Sequence, residues 1–496
     1  MPSVLAIDQG TTGSTALVVA DDGRVLGRGY REFPQHFPRP GWVEHEPEEI
    51  WQSVQDAVQQ AIAAAGEAPR VLGITNQRET VVAWERATGK PVHRALVWQD
   101  RRTAERCREL EAELGPQYVA ERTGLIWDPY FSATKIEWML REVAGLRQRA
   151  ERGEVVFGTV DAWLIHRLTG GLVFVTDHTN ASRTLLYNLR TRTWDPQMLA
   201  LFGIPAVALP LVQRSAGVLG VADPRHFGVP MRIAGVAGDQ QAALWGQGCW
   251  SPGQAKCTYG TGAFLLMLVG DAAAKRVERP RLLRTMACGP DGEPVAAFEG
   301  SIFVAGAAIQ WLRDGLGLIA SAEETEALAR AVPDTGGVYF VPALVGLGAP
   351  YWDADARGTI VGLTRGTSRP HLARAALEAM AYQVRDVVEQ AREETGVTLS
   401  ELKVDGGAAA NAWLMQFQAD VVGARVGRPD IVETTALGAA GLAGLGAGIW
   451  SRAEDFLQAR HYQWFAPNDR YEEGYAGWRR AVGAALAWSA AGRRPG

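Results

Sequence analysis

Cysteine, clustered histidine and long apolar runs are all scarce in this sequence. Of 496 residues only Cys107, Cys249, Cys257 and Cys288 are cysteine, with no C-x-x-C pair and no histidine cluster beside them. That leaves no disulfide framework and suits buried thiols in a reducing cytosol. No apolar run reaches the ~18 residues a membrane span needs. A strand pattern starts by residue 4 without a basic leader, so a cytoplasmic location is expected. No block of like charge occurs and the net charge is −5, which gives no electrostatic footprint for nucleic acid or an anionic membrane. Lysine is rare too, five against 45 arginines, an imbalance that coding bias produces as easily as adaptation to heat.

What remains is ordinary globular material. The chain is 47% hydrophobic and 21% charged, which supplies ample core and argues against disorder. Its length exceeds what one core usually supports, so two large domains are expected. The default partner is a small molecule.

The chain is organised around Ile7-Asp8-Gln9-Gly10-Thr11-Thr12-Gly13-Ser14-Thr15, between the apolar runs 4–7 and 16–20. It reads as strand, tight loop, strand. Small and hydroxyl residues let N–H and O–H groups converge on phosphate oxygens. Bare phosphate repels Asp8, so a carboxylate there makes best sense with hydrated Mg²⁺ between them. The plain alternative is a hairpin whose turn happens to be rich in Gly and Thr.

Further along, Asp21-Asp22-Gly23 joins two strand runs, and Pro47 opens a helix to about residue 65 with Gly66 as its stop. Strand runs at 71–75 and 81–84 flank the polar string Asn76-Gln77-Arg78-Glu79-Thr80, and the run 95–98 ends in Trp98-Gln99-Asp100. Ligands in α/β proteins sit at such tips. Helices are expected over 103–114, 134–143, 161–168 and 373–394. Asn180-Ala181-Ser182 matches a glycosylation acceptor and carries no weight without a secretory leader. A strand over 233–237 ends in Gly238-Asp239-Gln240 and runs into a helix; 255–259 then passes through Gly260-Thr261-Gly262 to another strand. Two Gly/Thr hairpins roughly 250 residues apart suggest a duplicated architecture with a boundary near 245–255. Residues 402–407 form a strand ending in Gly406-Gly407, with a helix from about Asn411, and the Ala/Gly-rich stretch 437–449 permits a helix or a nucleotide to pack closely on a sheet.

These motifs together resemble the actin, chaperone-ATPase and sugar-kinase superfamily, and within it the FGGY carbohydrate kinases, from end to end of the chain. The branch that acts on glycerol is the most similar. The residues that carry the likeness are Asp8 to Thr12, Gly41 to His45, Asn76 to Thr80, Gly238 to Leu244, Thr258 to Gly262 and Tyr475 to Trp478. The resemblance implies an α/β protein of two ribonuclease-H-like domains facing a central cleft. Residues 1–250 would hold glycerol and the first phosphate loop, and 251–496 the second loop and the adenosine site. ATP would phosphorylate a terminal hydroxyl of glycerol to give sn-glycerol 3-phosphate.

Transfer to an alcohol needs a base, a metal and donors around the γ-phosphoryl group. Asp239 is expected as the base, with a helix N-cap as its plain alternative. Asp8 and Asp239 are expected at Mg²⁺, with Thr11, Thr12, Ser14 and Thr261 at the phosphates. Arg78, Glu79, Tyr130, Asp239 and Gln240 would read the three hydroxyls of glycerol, with Trp98 and Phe264 as the apolar wall. Neighbours in a strand point to opposite faces, so Arg78 and Glu79 reach one ligand only from an irregular tip. The plain alternatives are a surface ion pair for Arg78–Glu79 and ordinary core for the two aromatics. Adenosine is expected against Gly306, Gln310, Gly407 and Asn411, although Gln310 also suits an exposed helix position and Asn411 an N-cap.

Two departures stand out. Many relatives that act on glycerol carry arginine where this chain has Thr15, so one positive contact is missing. Regulated bacterial relatives carry a Gly-Gly-Lys-Gly-Gly-like loop for fructose 1,6-bisphosphate; residues 213–230 have no such run, so insensitivity to that effector is expected. A homo-oligomer, dimer or tetramer, is implied by resemblance alone. The rivals are a kinase for another polyol or ketopentose and a chaperone or filament ATPase.

Overall fold

The computed structural model describes residues 2–270, 281–431, 433–458, 460–468 and 471–492. They divide into two compact units, one of Met1–Trp250, Arg284–Ala297 and Glu433–Arg460, the other of Ser251–Leu283, Phe298–Val432 and His461–Gly496. The chain changes unit after Trp250, and two later segments, Arg284–Ala297 and Glu433–Arg460, return to the first unit.

The first unit is built on a six-stranded sheet in the order Ala216–Ala222, Met231–Gly238, Val71–Asn76, Ser3–Gln9, Gly13–Ala20, Val25–Glu32. Ser3–Gln9, Val71–Asn76 and Met231–Gly238 run parallel, and their register sets Gln9 level with Asn76 and Asn76 level with Gly238. Three strands therefore deliver their tips to one edge, and each tip leads into a predicted site segment. Leu5, Ile7, Leu72, Ile74, Ile233 and Val236 fill one face together with Ile50, Trp51, Val54 and Val58 of the helix Pro47–Ala65. Each such side chain contributes about 1.5–3 kcal/mol by leaving water. That helix starts on Pro47 with Glu48 and Glu49 in its first turn and stops at Gly66, in the left-handed region at φ 79°, as the sequence signals require.

On the other face lies the helix Thr434–Ala447. A Cβ on Gly73 would come within 2.2 Å of the Ala439 carbonyl oxygen, and one on Gly235 within 2.4 Å of the Ala443 nitrogen. Strand glycines thus let this Ala/Gly-rich helix lie almost backbone to backbone on the sheet. The stretch read as permitting a helix or a nucleotide is occupied by its own helix. A smaller four-stranded sheet orders Glu44–His45, Ala95–Leu96, Val81–Glu85 and Val155–Thr159.

In the second unit Gln254–Tyr259 pairs antiparallel with Ala263–Leu268 and parallel with Glu401–Asp405, which pairs parallel with Arg425–Pro429. The same sequence of pairings, hairpin then parallel neighbours, occurs in the first unit, so the duplication read from the two Gly/Thr loops is a duplication of sheet topology. The helix Arg369–Thr395 starts with a Ser368–His371 capping box and stops at Gly396, φ 80°.

Candidate active site

At the tip edge of the first unit the chain leaves the Val71–Asn76 strand irregularly. Thr80 N–H reaches back to the Arg78 carbonyl at 2.7 Å, and Glu79 takes φ 62°, the left-handed region that a β-substituted residue seldom enters. That local strain, of order 1 kcal/mol, turns Arg78 and Glu79 to a common neighbourhood. Arg183 Nε donates to Glu79 Oε1 at 2.6 Å, while Arg78 Nε stands 3.9 Å from the same oxygen and 3.2 Å from Asp239 Oδ1. The side chains of Arg78, Glu79 and Arg183 are at most 3% exposed, and that of Asp239 is 31% exposed. Two cations and two anions balance, and Asp239 is the most exposed of the four. The surface ion pair considered for Arg78–Glu79 is therefore excluded.

Gly238 makes this possible by its size, since a Cβ there would meet Arg78 Cγ at 2.8 Å. Asp239 is the first residue of the helix Asp239–Gly246, whose N-cap position is Gly238, and its Oδ1 accepts from the Gln240 N–H at 2.6 Å. It does not cap that helix, which removes its plain alternative. Thr179 Oγ1 accepts from the Gly238 N–H at 2.8 Å, and Asn180 and Asn76 exchange amide hydrogen bonds at 3.0 and 3.1 Å, so the tip carrying Asp239 is tied to the neighbouring strand tip. Asn180, thus buried, has no room for a glycan.

The aromatics close one side. Trp98 Nε1 donates to Thr11 Oγ1 at 2.9 Å and its backbone N–H to Thr80 Oγ1 at 3.2 Å; its ring meets Tyr130 edge-on at 5.6 Å. Arg183 lies over the Tyr130 ring at 5.6 Å. Trp98 and Tyr130 are both half-buried, so neither is closed core. Gln240 is half-buried beside Asp239.

Asp8 is half-buried at the end of its strand. Burial, and then the charge of Asp239, push its carboxyl up to about 7. In the same cross-strand row Thr75 Oγ1 is buried with no hydrogen-bond partner, and Thr15 faces Asp8 from the other side. Asp8, its proton affinity raised by burial and by the Asp239 charge, lies in one row with an unmet hydroxyl, an arrangement that suits a hydrated divalent cation held through one or two carboxylates. Among the described residues no group of three or more His, Cys, Asp or Glu could hold a metal alone, so such an ion would need donors beyond these side chains. Thr11 is half-buried and Thr12 exposed in the loop closed by Gly10 N–H to Gly13 O at 2.9 Å. Ser14 departs from expectation. It is buried, and its hydroxyl pairs with Ser53 Oγ of the helix at 2.7 Å; strand alternation turns it away from the face that carries Thr15 and Asp8. Its side chain is not a phosphate donor.

In the second unit Thr261, Gly306, Gln310, Gly407 and Asn411 line one cavity of about 350 Å³ together with Tyr259, Arg313, Thr325 and Glu326. The N–H groups of Ala305 and Ala307 donate to the Thr261 carbonyl at 2.9 and 3.0 Å, and a Cβ on Gly306 would lie 2.6 Å from the Gly260 carbonyl oxygen. Only glycine lets the helix Gly306–Gln310 start against the hairpin. Gly406, at φ 86°, passes just as close to Tyr259, whereas a Cβ on Gly407 meets nothing within 4 Å and faces open space. Asn411 caps the helix Ala412–Val422, Oδ1 accepting from Leu414 N–H at 2.9 Å, so it holds the cap role and lines the cavity at once. Gln310 is exposed. Phe264 is half-buried on the strand Ala263–Leu268 opposite Thr258, outside this cavity's lining.

Sequence reading missed Arg183, Gln241 and Ser132. Gln241 Oε1 accepts from Arg78 Nη1 at 3.4 Å, and Ser132 Oγ donates to the Glu79 carbonyl at 2.9 Å. Arg183 directly follows the dismissed Asn180-Ala181-Ser182 triplet, and nothing local marks it. Its partner is 104 residues away.

Residues 3–246 match the N-terminal domain, and residues 255–447 the C-terminal domain, of the FGGY family of carbohydrate kinases. A glycerol kinase of Carboxydothermus hydrogenoformans is 54% identical over 493 residues, 98% of either chain. Among solved structures, Plasmodium falciparum glycerol kinase with ADP superposes with a TM-score of 0.93 at 35% identity over 98% of either chain. A xylulose kinase of Rhodospirillum rubrum reaches a TM-score of 0.87 at 25% identity, again over 98% of both chains. The chain belongs to the FGGY family of carbohydrate kinases.

Proposed function

We propose that the protein transfers the γ-phosphoryl group of ATP to a terminal hydroxyl of glycerol, giving sn-glycerol 3-phosphate and ADP. The observation that carries the reading is the charge-balanced quartet Arg78, Glu79, Arg183 and Asp239, in which Asp239 is the most exposed member. A compact triol needs a few fixed donors and acceptors, and this group supplies both signs without an unpaired charge. The names of the relatives agree with it.

In the reaction a hydroxyl proton passes to the Asp239 carboxylate as the oxygen bonds to phosphorus and the bond from phosphorus to the ADP oxygen breaks. Arg78 holds that carboxylate in place. A base so positioned is worth about 10²–10⁴ in rate. Arg78, Glu79, Tyr130 and Gln240 hold the remaining hydroxyls; Trp98 covers the C–H edge. Thr11, Thr12 and Thr261 donate to phosphate oxygens, and Gly306, Gln310, Gly407 and Asn411 receive the adenosine. Asp8 with Asp239 would hold Mg²⁺ largely through water, and the ion when bound neutralises charge on the triphosphate. Glycerol thus belongs to residues 1–250 and the adenosine to 251–496. The protein works in the cytoplasm as a homo-oligomer.

The test is to incubate the protein with ATP, Mg²⁺ and glycerol and to read the product with an enzyme specific for sn-glycerol 3-phosphate. One such molecule per ADP is expected. ADP release without it would overturn the proposal.

A further inference from the structure

The helix Ala133–Glu142 buries Ala133, Thr134, Ile136, Met139 and Leu140, and amid them a lysine. Lys135 has no solvent exposure. Its ammonium donates to three consecutive carbonyls, those of Pro129 at 2.5 Å, Tyr130 at 2.9 Å and Phe131 at 3.2 Å. An ammonium has three donors and no acceptor, so these three contacts match its full donor capacity with one loop. Two costs oppose it. Burying a charge costs several kcal/mol, and the first turn of a helix disfavours a cation. A chain with only five lysines nevertheless puts one here, directly beneath Tyr130.

We propose that Lys135 is a positioning residue for the polyol: its ammonium fixes the loop 129–131 so that Tyr130 stands between Trp98 and Arg183, and loss of its proton releases that loop. This rests on the proposed function and adds a determinant to the same site. Four titratable groups face Lys135. Asp100 is held by Arg102 at 2.8 Å, Glu79 by Arg183 at 2.6 Å and Asp128 by Arg101 at 2.9 Å; the fourth is Cys107 of the helix Ala104–Leu114. Burial pushes the lysine down to about 8, partly offset by Asp100, Glu79 and Asp128, whereas burial pushes the Cys107 thiol up to about 12, so it stays protonated. A neutral amine has two donors and a lone pair. One of the three carbonyls then faces that lone pair.

The sign separates positioning from mere support. A lysine whose proton affinity is lowered by folding makes the fold more stable as pH rises through 8 towards 10. A purely structural lysine would leave substrate affinity alone over that range; a positioning lysine weakens it while the fold gains. The experiment measures KM for glycerol, KM for ATP and Tm at pH 7 and pH 9, for the wild type and Lys135→Met. For the wild type, KM for glycerol should rise about tenfold by pH 9, the size of one hydrogen bond, with KM for ATP steady within about twofold and Tm not lowered by this group. Lys135→Met should show the raised KM already at pH 7 and no pH dependence. A flat wild-type profile overturns the inference, and this arm stands even if the variant does not fold; so does a folded variant with wild-type KM. Failure of the wild type to phosphorylate glycerol at pH 7 would sink the functional reading and this role with it.

Discussion

Replacing Asp239 by asparagine removes one charge and almost no volume, so its effect separates chemistry from architecture. The Asp239 side chain is 31% exposed and its ion pair with Arg78 spans 3.2 Å. Arg78 is buried and Asp239 only partly screened, so loss of the pair costs about 1–3 kcal/mol of stability, between an exposed and a buried pair. The amide oxygen of asparagine can still accept from Arg78, which also keeps Glu79 and Gln241 as neighbours. What asparagine cannot do is take the hydroxyl proton. Loss of general-base help raises the barrier by about 2.7–5.4 kcal/mol, a fall in kcat of about 10²–10⁴. The assay pairs ADP release under saturating glycerol and ATP with calorimetric binding of glycerol. Glycerol affinity should stay within about tenfold of wild type. Turnover within threefold of wild type would refute the base assignment, and loss of binding in step with turnover would make Asp239 a binding group only.

Four other perturbations follow from the same geometry. Glu79→Gln strips the buried Arg183 of its nearest counter-charge, so urea unfolding should show the first unit destabilised by about 3–5 kcal/mol, and an unchanged midpoint would contradict the pairing. Thr15→Arg sets a cation on the row that holds Asp8; half-maximal activity should then need severalfold less Mg²⁺, read by metal titration at fixed ATP. Gly73→Ala drives a methyl to 2.2 Å from the Ala439 carbonyl oxygen, and a loss of about 1–3 kcal/mol in thermal or urea unfolding is expected. Adding fructose 1,6-bisphosphate should leave the rate unchanged, since residues 213–230 lack a Gly-Gly-Lys-Gly-Gly-like run; clear inhibition would show that another surface binds it.

What could be read from the sequence was whatever has a local cause. Pro47 and Gly66 bracket their helix, and the two Gly/Thr turns announce two hairpins, because proline, glycine and strand alternation act over a few residues. The same alternation placed Ser14 opposite Thr15 and could have turned its hydroxyl away from the phosphates; composition of the loop outweighed it. Long-range partners were hidden. Arg183 becomes a site residue only because Glu79 takes a left-handed turn towards it, and Lys135 only because a loop offers three carbonyls at once. The return of the helix Thr434–Ala447 to the first unit depends on Gly73 and Gly235, which read locally as weak strand residues and act as landing places for a helix some 200 or more residues further on.

The central claim is that the tip quartet reads glycerol and that phosphoryl transfer depends on it. The most direct test measures ADP release with glycerol, dihydroxyacetone, erythritol, xylulose and no acceptor, comparing kcat/KM. Glycerol should exceed erythritol and xylulose by about 10² or more, since buried donors and acceptors penalise a poorly matched acceptor, and release without acceptor should be negligible. Equal efficiency on xylulose, or brisk ATP turnover with no polyol present, would contradict the account.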